Sequence, residues 1–175
     1  MDKKIKKIIL TGPESTGKST LAKQLALEYN TVWVPEFART YLEGLNRTYR
    51  EDDLLKIAKG QRDLESFFYK KSNQYMFCDT SMLVMKIWSE YRFGKCDPWI
   101  LEQLENEKNT IYILCGTDVP WGFDEQRENP NDRNVLYGKY LSELKFYQRK
   151  FIEIAGNELV RVNEVSRSLK VFTMD

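Results

Sequence analysis

The residues best equipped for chemistry lie near the amino end: Gly12-Pro13-Glu14-Ser15-Thr16-Gly17-Lys18-Ser19, followed by Thr20. The first eight fit G-x-x-x-x-G-K-[ST] at every fixed position, a spacing that serves phosphate. Glycine lets the backbone turn until successive N–H groups converge on phosphate oxygens. The helix that follows adds partial positive charge at its start. Lys18 is spaced to reach the β- and γ-phosphates of a nucleoside triphosphate, and the Ser19 hydroxyl to sit on Mg²⁺. Both flanks suit the motif. Residues 5–10 read as a buried strand, and Leu21, Ala22, Leu25, Ala26 and Tyr29 have the spacing of one helix face. Nucleotide binding at positions 12–20 is the first expectation.

The chain has no histidine. Imidazole base chemistry and His-ligated metals are excluded, so a proton acceptor must be a carboxylate, lysine, tyrosine or water. Asp79 closes the apolar run Tyr75-Met76-Phe77-Cys78. An acid there can hold Mg²⁺ or take a proton from an attacking hydroxyl, and it can also cap the next helix. Glu36 follows the second strand. It is a candidate to bind and deprotonate a substrate hydroxyl, with complementing a helix dipole as the alternative. Arg39, one turn on, pairs with Glu36, with a phosphate or with a surface neighbour. Arg127 and Arg133 fall in an irregular stretch, 116–134, that also carries Asp118, Trp121, Asp124, Glu125, Glu128 and Asp132. Long irregular segments are often lids, and lid arginines can neutralise charge on a transferring phosphoryl group while water is expelled. The alternative is a solvated loop. Trp121 and Trp88 are candidates to stack on an aromatic substrate ring; Trp88, on an apolar helix, reads first as core.

Strands and helices that alternate must position these residues. Strands are expected at 5–11, 31–34, 75–79, 111–115 and 159–162. Helices are expected at 18–29 and 36–42, from a Thr48–Glu51 capping box onward, over 82–91, after Asp97-Pro98, and from an Asn134 cap through Phe151 and Ile154 to Gly156. The last dozen residues read as a tail or short helix. The pattern predicts an α/β fold: a five-stranded parallel sheet with helices on both faces and a lid segment, in one domain over 1–175. Ligands then bind at the carboxyl ends of the strands, where positions 12–20, Glu36, Asp79 and Asp118 fall.

Bulk properties restrict the partners. With 27 Lys and Arg against 26 Asp and Glu, the net charge of +1 gives no sign of a nucleic-acid or membrane surface. Lys3, Lys4, Lys6 and Lys7 are expected to flank or solvate the first strand. Cys78, Cys96 and Cys115 form no C-x-x-C pair, and the first apolar stretch is too short for a signal peptide and leads straight into the phosphate loop, so a reducing, cytoplasmic setting is expected. No apolar run suffices for a bilayer. Oligomeric state is left open.

With these residues in view, the chain resembles the nicotinamide riboside kinase domain of the NadR type, a P-loop kinase family. The resemblance rests on positions 12–20, Val34-Pro35-Glu36-Phe37-Ala38-Arg39, Phe77-Cys78-Asp79-Thr80-Ser81 leading to Lys86-Ile87-Trp88, Asp118-Val119-Pro120-Trp121, and Asp124-Glu125-Gln126-Arg127 with Arg133. It implies ATP as phosphoryl donor, Mg²⁺ on Ser19 and Asp79, and transfer to the ribose 5′-hydroxyl of nicotinamide riboside, an alcohol acceptor, in NAD salvage. Lys18, Asp79, Glu36, Arg127 and Arg133 are then the expected catalytic residues. Glu36, Arg39, Asp79, Asp118 and Trp121 are expected to bind the substrate. The family domain is often fused to an adenylyltransferase. Only the kinase-like part is matched here, so adenylyl transfer is expected to be absent. Two rivals stay open: a deoxynucleoside or nucleotide kinase on the same scaffold, and an AAA-like regulatory ATPase or ATP-binding module. The absence of N-K-x-D disfavours a GTPase.

Overall fold

A computed structural model describes residues 5–172. The elements run β1 (Lys6–Thr11), α1 (Lys18–Glu28), β2 (Trp33–Val34), α2 (Phe37–Glu43), α3 (Glu51–Tyr69), β3 (Tyr75–Asp79), α4 (Met82–Phe93), α5 (Pro98–Glu105), β4 (Thr110–Cys115), α6 (Arg133–Phe146), β5 (Lys150–Ile154) and α7 (Glu158–Phe172). The five strands are all parallel, in the order β2-β3-β1-β4-β5. Parallel strands need crossovers, and the helices that supply them cover both faces.

The period of two along each strand divides the core. Ile9, Cys78, Tyr112 and Leu114 point to the face covered by α2–α6. Ile8, Leu10, Phe77 and Ile113 point to the face covered by α1 and α7. The central strands are buried on both sides, which is why they read as unbroken apolar runs. Local signals fix the helix ends. The Ser81 hydroxyl accepts from the Leu83 N–H at 3.2 Å, and Gly94, at φ 72, ends α4. The Asp97 carboxylate accepts from the Trp99 N–H at 2.8 Å, with Pro98 at the first helical position.

Three expectations are corrected. First, the fifth strand is Lys150–Ile154, not 159–162; it pairs with β4 through Ile111↔Lys150 to Cys115↔Ile154. α6 stops at Phe146 because Gln148 turns the chain at φ 51. Residues 159–162 belong to α7, which buries Arg161, Val165 and Leu169 at i, i+4 and i+8. Second, α3 is capped two residues later than expected, at Arg50, whose N–H donates to the Asp53 carboxylate at 2.7 Å. α6 likewise follows Asp132 rather than Asn134. Third, Lys7 does not solvate the strand: it is held between Glu65 at 2.7 Å and Glu107 at 2.9 Å. Lys6 donates to the Phe172 carbonyl; Lys3 and Lys4 lie outside the described residues. No helix among the described residues is long and apolar enough to cross a membrane.

Candidate active site

The loops leaving β1, β2 and β3 meet the 117–133 segment around a cavity of about 240 Å³. One wall is residues 12–20. Gly12 sits at φ 128 with its α-carbon against β4, where a Cβ would come within 2.9 Å of the Cys115 carbonyl. No other residue fits that contact. Ser15 and Gly17 also have positive φ, at 56 and 80. The Thr16 hydroxyl ties the loop across itself by donating to the Pro13 carbonyl at 2.8 Å. Lys18 Nζ donates to the carbonyls of Gly12 and Pro13, at 3.0 and 2.6 Å, so the ammonium lies over the mouth of the loop.

Asp79, at the end of β3, is paired in register with Leu10 and is 2 % exposed. Its Oδ2 accepts from the Ser19 hydroxyl at 2.5 Å, while Oδ1 is buried without a partner among the described residues. Burial pushes the Asp79 carboxyl up, against the pull of Lys18 and Ser19. Glu36, at the end of β2, is pushed up to about 7 by burial and then by the charge on Asp79, with Lys18 and Arg39 opposing. The result is a short-handed anionic corner: two carboxylates, one hydroxyl and one ammonium. A hard cation with oxygen ligands fits this donor set, because Mg²⁺ takes few protein ligands and completes its shell with water and phosphate. No cluster of three or more His, Cys, Asp or Glu side chains capable of holding a metal occurs among the described residues.

The 117–133 segment straps onto the phosphate loop. The Glu14 carboxylate accepts from the N–H groups of Glu128 and Asn129, the latter at 3.0 Å. The Ser15 hydroxyl accepts from the Gly122 N–H at 2.8 Å. Arg127 donates to the Gly122 carbonyl and to the Ser15 hydroxyl. Asp124 pairs with Arg39 at 3.0 Å, joining the segment to α2.

Of the residues expected from sequence, positions 12–20, Glu36, Arg39 and Arg127 line the cavity, and Asp79 reaches it through Ser19. Three lie behind the wall. Asp118 accepts from Arg161 at 2.7 Å and from the Gly156 N–H at 2.8 Å. Arg133 donates to the carbonyls of Ser15, Val119 and Thr117. Trp121 lies beneath the guanidinium groups of Arg127 and Arg133, 5.9 and 5.8 Å from its ring.

Apart from Trp88, the far wall was missed. Leu42, Val84, Trp88, Tyr91, Leu136 and Tyr140 form an apolar, aromatic face opposite the phosphate loop. Trp88 packs on the core and also presents to the cavity, its indole N–H donating to the Tyr49 hydroxyl at 3.0 Å. Tyr49 in turn donates to Glu128 at 2.6 Å. The signal was available: α4 is apolar on more faces than a one-sided surface helix needs, and Val84, Trp88 and Tyr91 share the surplus face.

Comparison with known proteins agrees with this architecture. A family model described as an AAA domain matches residues 7–161. The trifunctional NAD biosynthesis/regulator protein NadR of Salmonella typhimurium is 26 % identical over 156 residues, covering 86 % of this chain and 38 % of that protein. Its Escherichia coli counterpart is 28 % identical over 127 residues, covering 70 % and 31 %. This chain thus spans about a third of the length of the curated relatives it matches. Among solved structures, NadR protein in complex with NR superposes with a TM-score of 0.77 at 23 % identity, over 98 % of this chain and 52 % of that one. Thymidylate kinase from Candida albicans gives 0.71 at 13 % identity, over 97 % and 92 %. The fold is that of P-loop kinases.

Proposed function

This chain belongs to the AAA domain family, and from that premise we propose that it is an ATP-dependent small-molecule kinase whose acceptor is the ribose hydroxyl of nicotinamide riboside. One observation carries the reading: a phosphate loop and an opposite wall of apolar and aromatic side chains share a single cavity with the Glu36 carboxylate. A regulatory ATP-binding module needs the first wall and has no use for the second.

The roles follow from position. Amides of residues 12–20 hold the triphosphate, with Lys18 swung from the Gly12 and Pro13 carbonyls onto the β- and γ-oxygens. Ser19 and Asp79 would hold Mg²⁺, which when bound shields charge on the β- and γ-phosphates. Glu36 faces the cavity without that engagement and, pushed up to about 7, is matched to taking a hydroxyl proton near neutrality. The ribose oxygen attacks the γ-phosphorus, its proton passes to Glu36, and the bond to the β-phosphate oxygen breaks to release ADP. Arg127 stands over the loop from the lid side to meet charge on the equatorial oxygens. Trp88, Tyr91 and Tyr140 offer flat faces to a ring, and a cationic pyridinium gains most from them. Catalysis comes from positioning and electrostatics, with no covalent enzyme intermediate.

Support for the acceptor comes from the NadR relatives, whose name denotes NAD biosynthesis and one of whose structures holds NR. Another NadR structure contains NAD and AMP-PNP, in keeping with ATP as donor. The test is a panel of acceptors with ATP and Mg²⁺: nicotinamide riboside, thymidine, thymidine monophosphate and none. Phosphorylation of the riboside ahead of both thymidine compounds supports the proposal. Preference for thymidine monophosphate, or hydrolysis indifferent to any acceptor, overturns it.

A further inference from the structure

Two arginines behind the phosphate loop have a geometry that the charge-neutralising role does not explain. Arg161, on α7, is 3 % exposed. Every guanidinium nitrogen donates: Nε to the Gly156 carbonyl at 2.8 Å, Nη1 to the Thr16 carbonyl at 2.7 Å, and Nη2 to Asp118 at 2.7 Å and the Gly116 carbonyl at 3.3 Å. Arg133, opening α6, donates through Nη1 to the carbonyls of Ser15 at 3.0 Å and Val119 at 2.8 Å, and through Nη2 to Thr117 at 3.1 Å. The pair therefore grips the carbonyls of two successive peptides, Ser15–Thr16 and Thr16–Gly17. α6 and α7 lie on opposite faces of the sheet, so the two grips are independent.

A peptide is planar, and in the trans form its C=O and N–H point opposite ways. No cis peptide occurs among the described residues. Neither arginine lines the cavity, whereas Ser15, Thr16 and Gly17 do. Drawing the Ser15 oxygen outward turns the Thr16 N–H inward. Drawing the Thr16 oxygen outward does the same for Gly17. Ser15, at φ 56, holds a conformation unusual for a residue with a Cβ, which requires surrounding restraint.

Resting on the kinase reading, we infer that Arg133 and Arg161 are positioning residues that aim the Thr16 and Gly17 amides at the triphosphate through the loop's peptide planes. Asp118 orients the Arg161 fork. A lysine keeps the charge but has no planar fork to span several carbonyls.

The probe is Mg²⁺ with inorganic tripolyphosphate, which offers the phosphates without base or sugar. It is titrated into the ¹⁵N-labelled full chain and followed by amide spectra and calorimetry. In the unaltered protein the Thr16 and Gly17 amide protons move downfield on binding. Arg133→Lys abolishes the movement at Thr16, Arg161→Lys abolishes it at Gly17, and each weakens binding about tenfold, while amides remote from the loop keep their positions. Retention of both shifts, with affinity within about twofold of the unaltered protein, overturns the inference. Should Arg161→Lys fail to fold, Arg133→Lys and Arg133→Gln decide the matter, both being expected to lose the Thr16 shift. An unaltered chain that binds neither tripolyphosphate nor ATP overturns the kinase reading as well; tripolyphosphate binding with unchanged variants overturns the positioning role alone.

Discussion

A carboxylate pair stands at each end of the sheet, and the two ends treat their charges in opposite ways. At the amino edge, Glu65 and Glu107 meet Lys7 at 2.7 and 2.9 Å and Arg62 at 2.8 and 3.5 Å. Tyr112 adds a hydroxyl donor to Glu107. Burial alone raises the Glu107 carboxyl, but Lys7, Tyr112 and Arg62 outweigh it, and the group ends below the usual carboxylate range. At the carboxyl edge, Asp79 accepts from the Ser19 hydroxyl while Glu36 has the charges of Lys18 and Arg39 to set against its burial, and both carboxyls are pushed up. A pair matched by two cations joins elements together, even with Glu65 Oε1 left buried without a hydrogen-bond partner among the described residues. A pair left short of partners is positioned for a ligand that brings its own charge and protons.

The contrast is broken most severely at Lys18. Lys18→Ala removes the ammonium that faces the carboxyl-edge pair from the phosphate loop and is expected to lower turnover by about 10³-fold or more, measured in single-turnover assays. The fold, judged by thermal melting, should hold. Lys7→Met strikes the opposite edge. It leaves Glu65 and Glu107 with Arg62 and the Tyr112 hydroxyl and is expected to cost about 3–5 kcal/mol of stability in denaturant melts. Activity per folded molecule should not change.

Glu36→Gln sharpens the comparison, because rate and stability should move in opposite directions. Turnover should fall by about 10²-fold with ATP affinity intact, the loss expected of a missing general base. Stability should rise at neutral pH. The ordinary carboxyl value is 4.5 and the folded value about 7. Below 4.5 Glu36 is neutral in both folded and unfolded chains and carries no penalty; above 7 it is ionised in both, and the folded state bears the full cost. Melting temperatures measured without nucleotide or metal should therefore show a gain for Glu36→Gln at pH 8 that vanishes at pH 4. Glu107→Gln, whose folded carboxyl value is depressed, should show a loss at pH 8 that shrinks as pH falls below 4.5.

The smallest effect belongs to the aromatic wall. Trp88→Leu keeps the position apolar but removes volume, the flat face and the bond to Tyr49. It should raise the acceptor KM about tenfold and leave the KM for ATP alone.

The two walls of the site also differed in how plainly the sequence announced them. The phosphate loop is contiguous, and its chemistry is written in residue types at fixed spacing. Glu36 and Asp79 were found by topology, because ligands gather where parallel strands end. The acceptor wall draws on α2, α4 and α6, and Trp88 looked like core because a cavity-facing helix stripe has the same period as a buried one. Arg133 was read by its charge alone, but three carbonyls occupy it behind the loop. The exchange of β5 and α7 has a local cause. Lys150–Ile154 is an edge strand with Lys150 and Glu153 exposed, so its apolar signal is thin. The valines at 160 and 162 favour a strand until the burial of Val165 and Leu169 against α1 decides for a helix.

The account stands on phosphoryl transfer across one cavity, from the Lys18 side to the Glu36 side. The direct measurement is a single turnover of ATP labelled in the γ-phosphate, with Mg²⁺ and excess nicotinamide riboside, quenched over time. Label on the riboside, with release of free phosphate negligible and slower by orders of magnitude, is the predicted result. Label appearing only as inorganic phosphate, at a rate the riboside does not change, would contradict it.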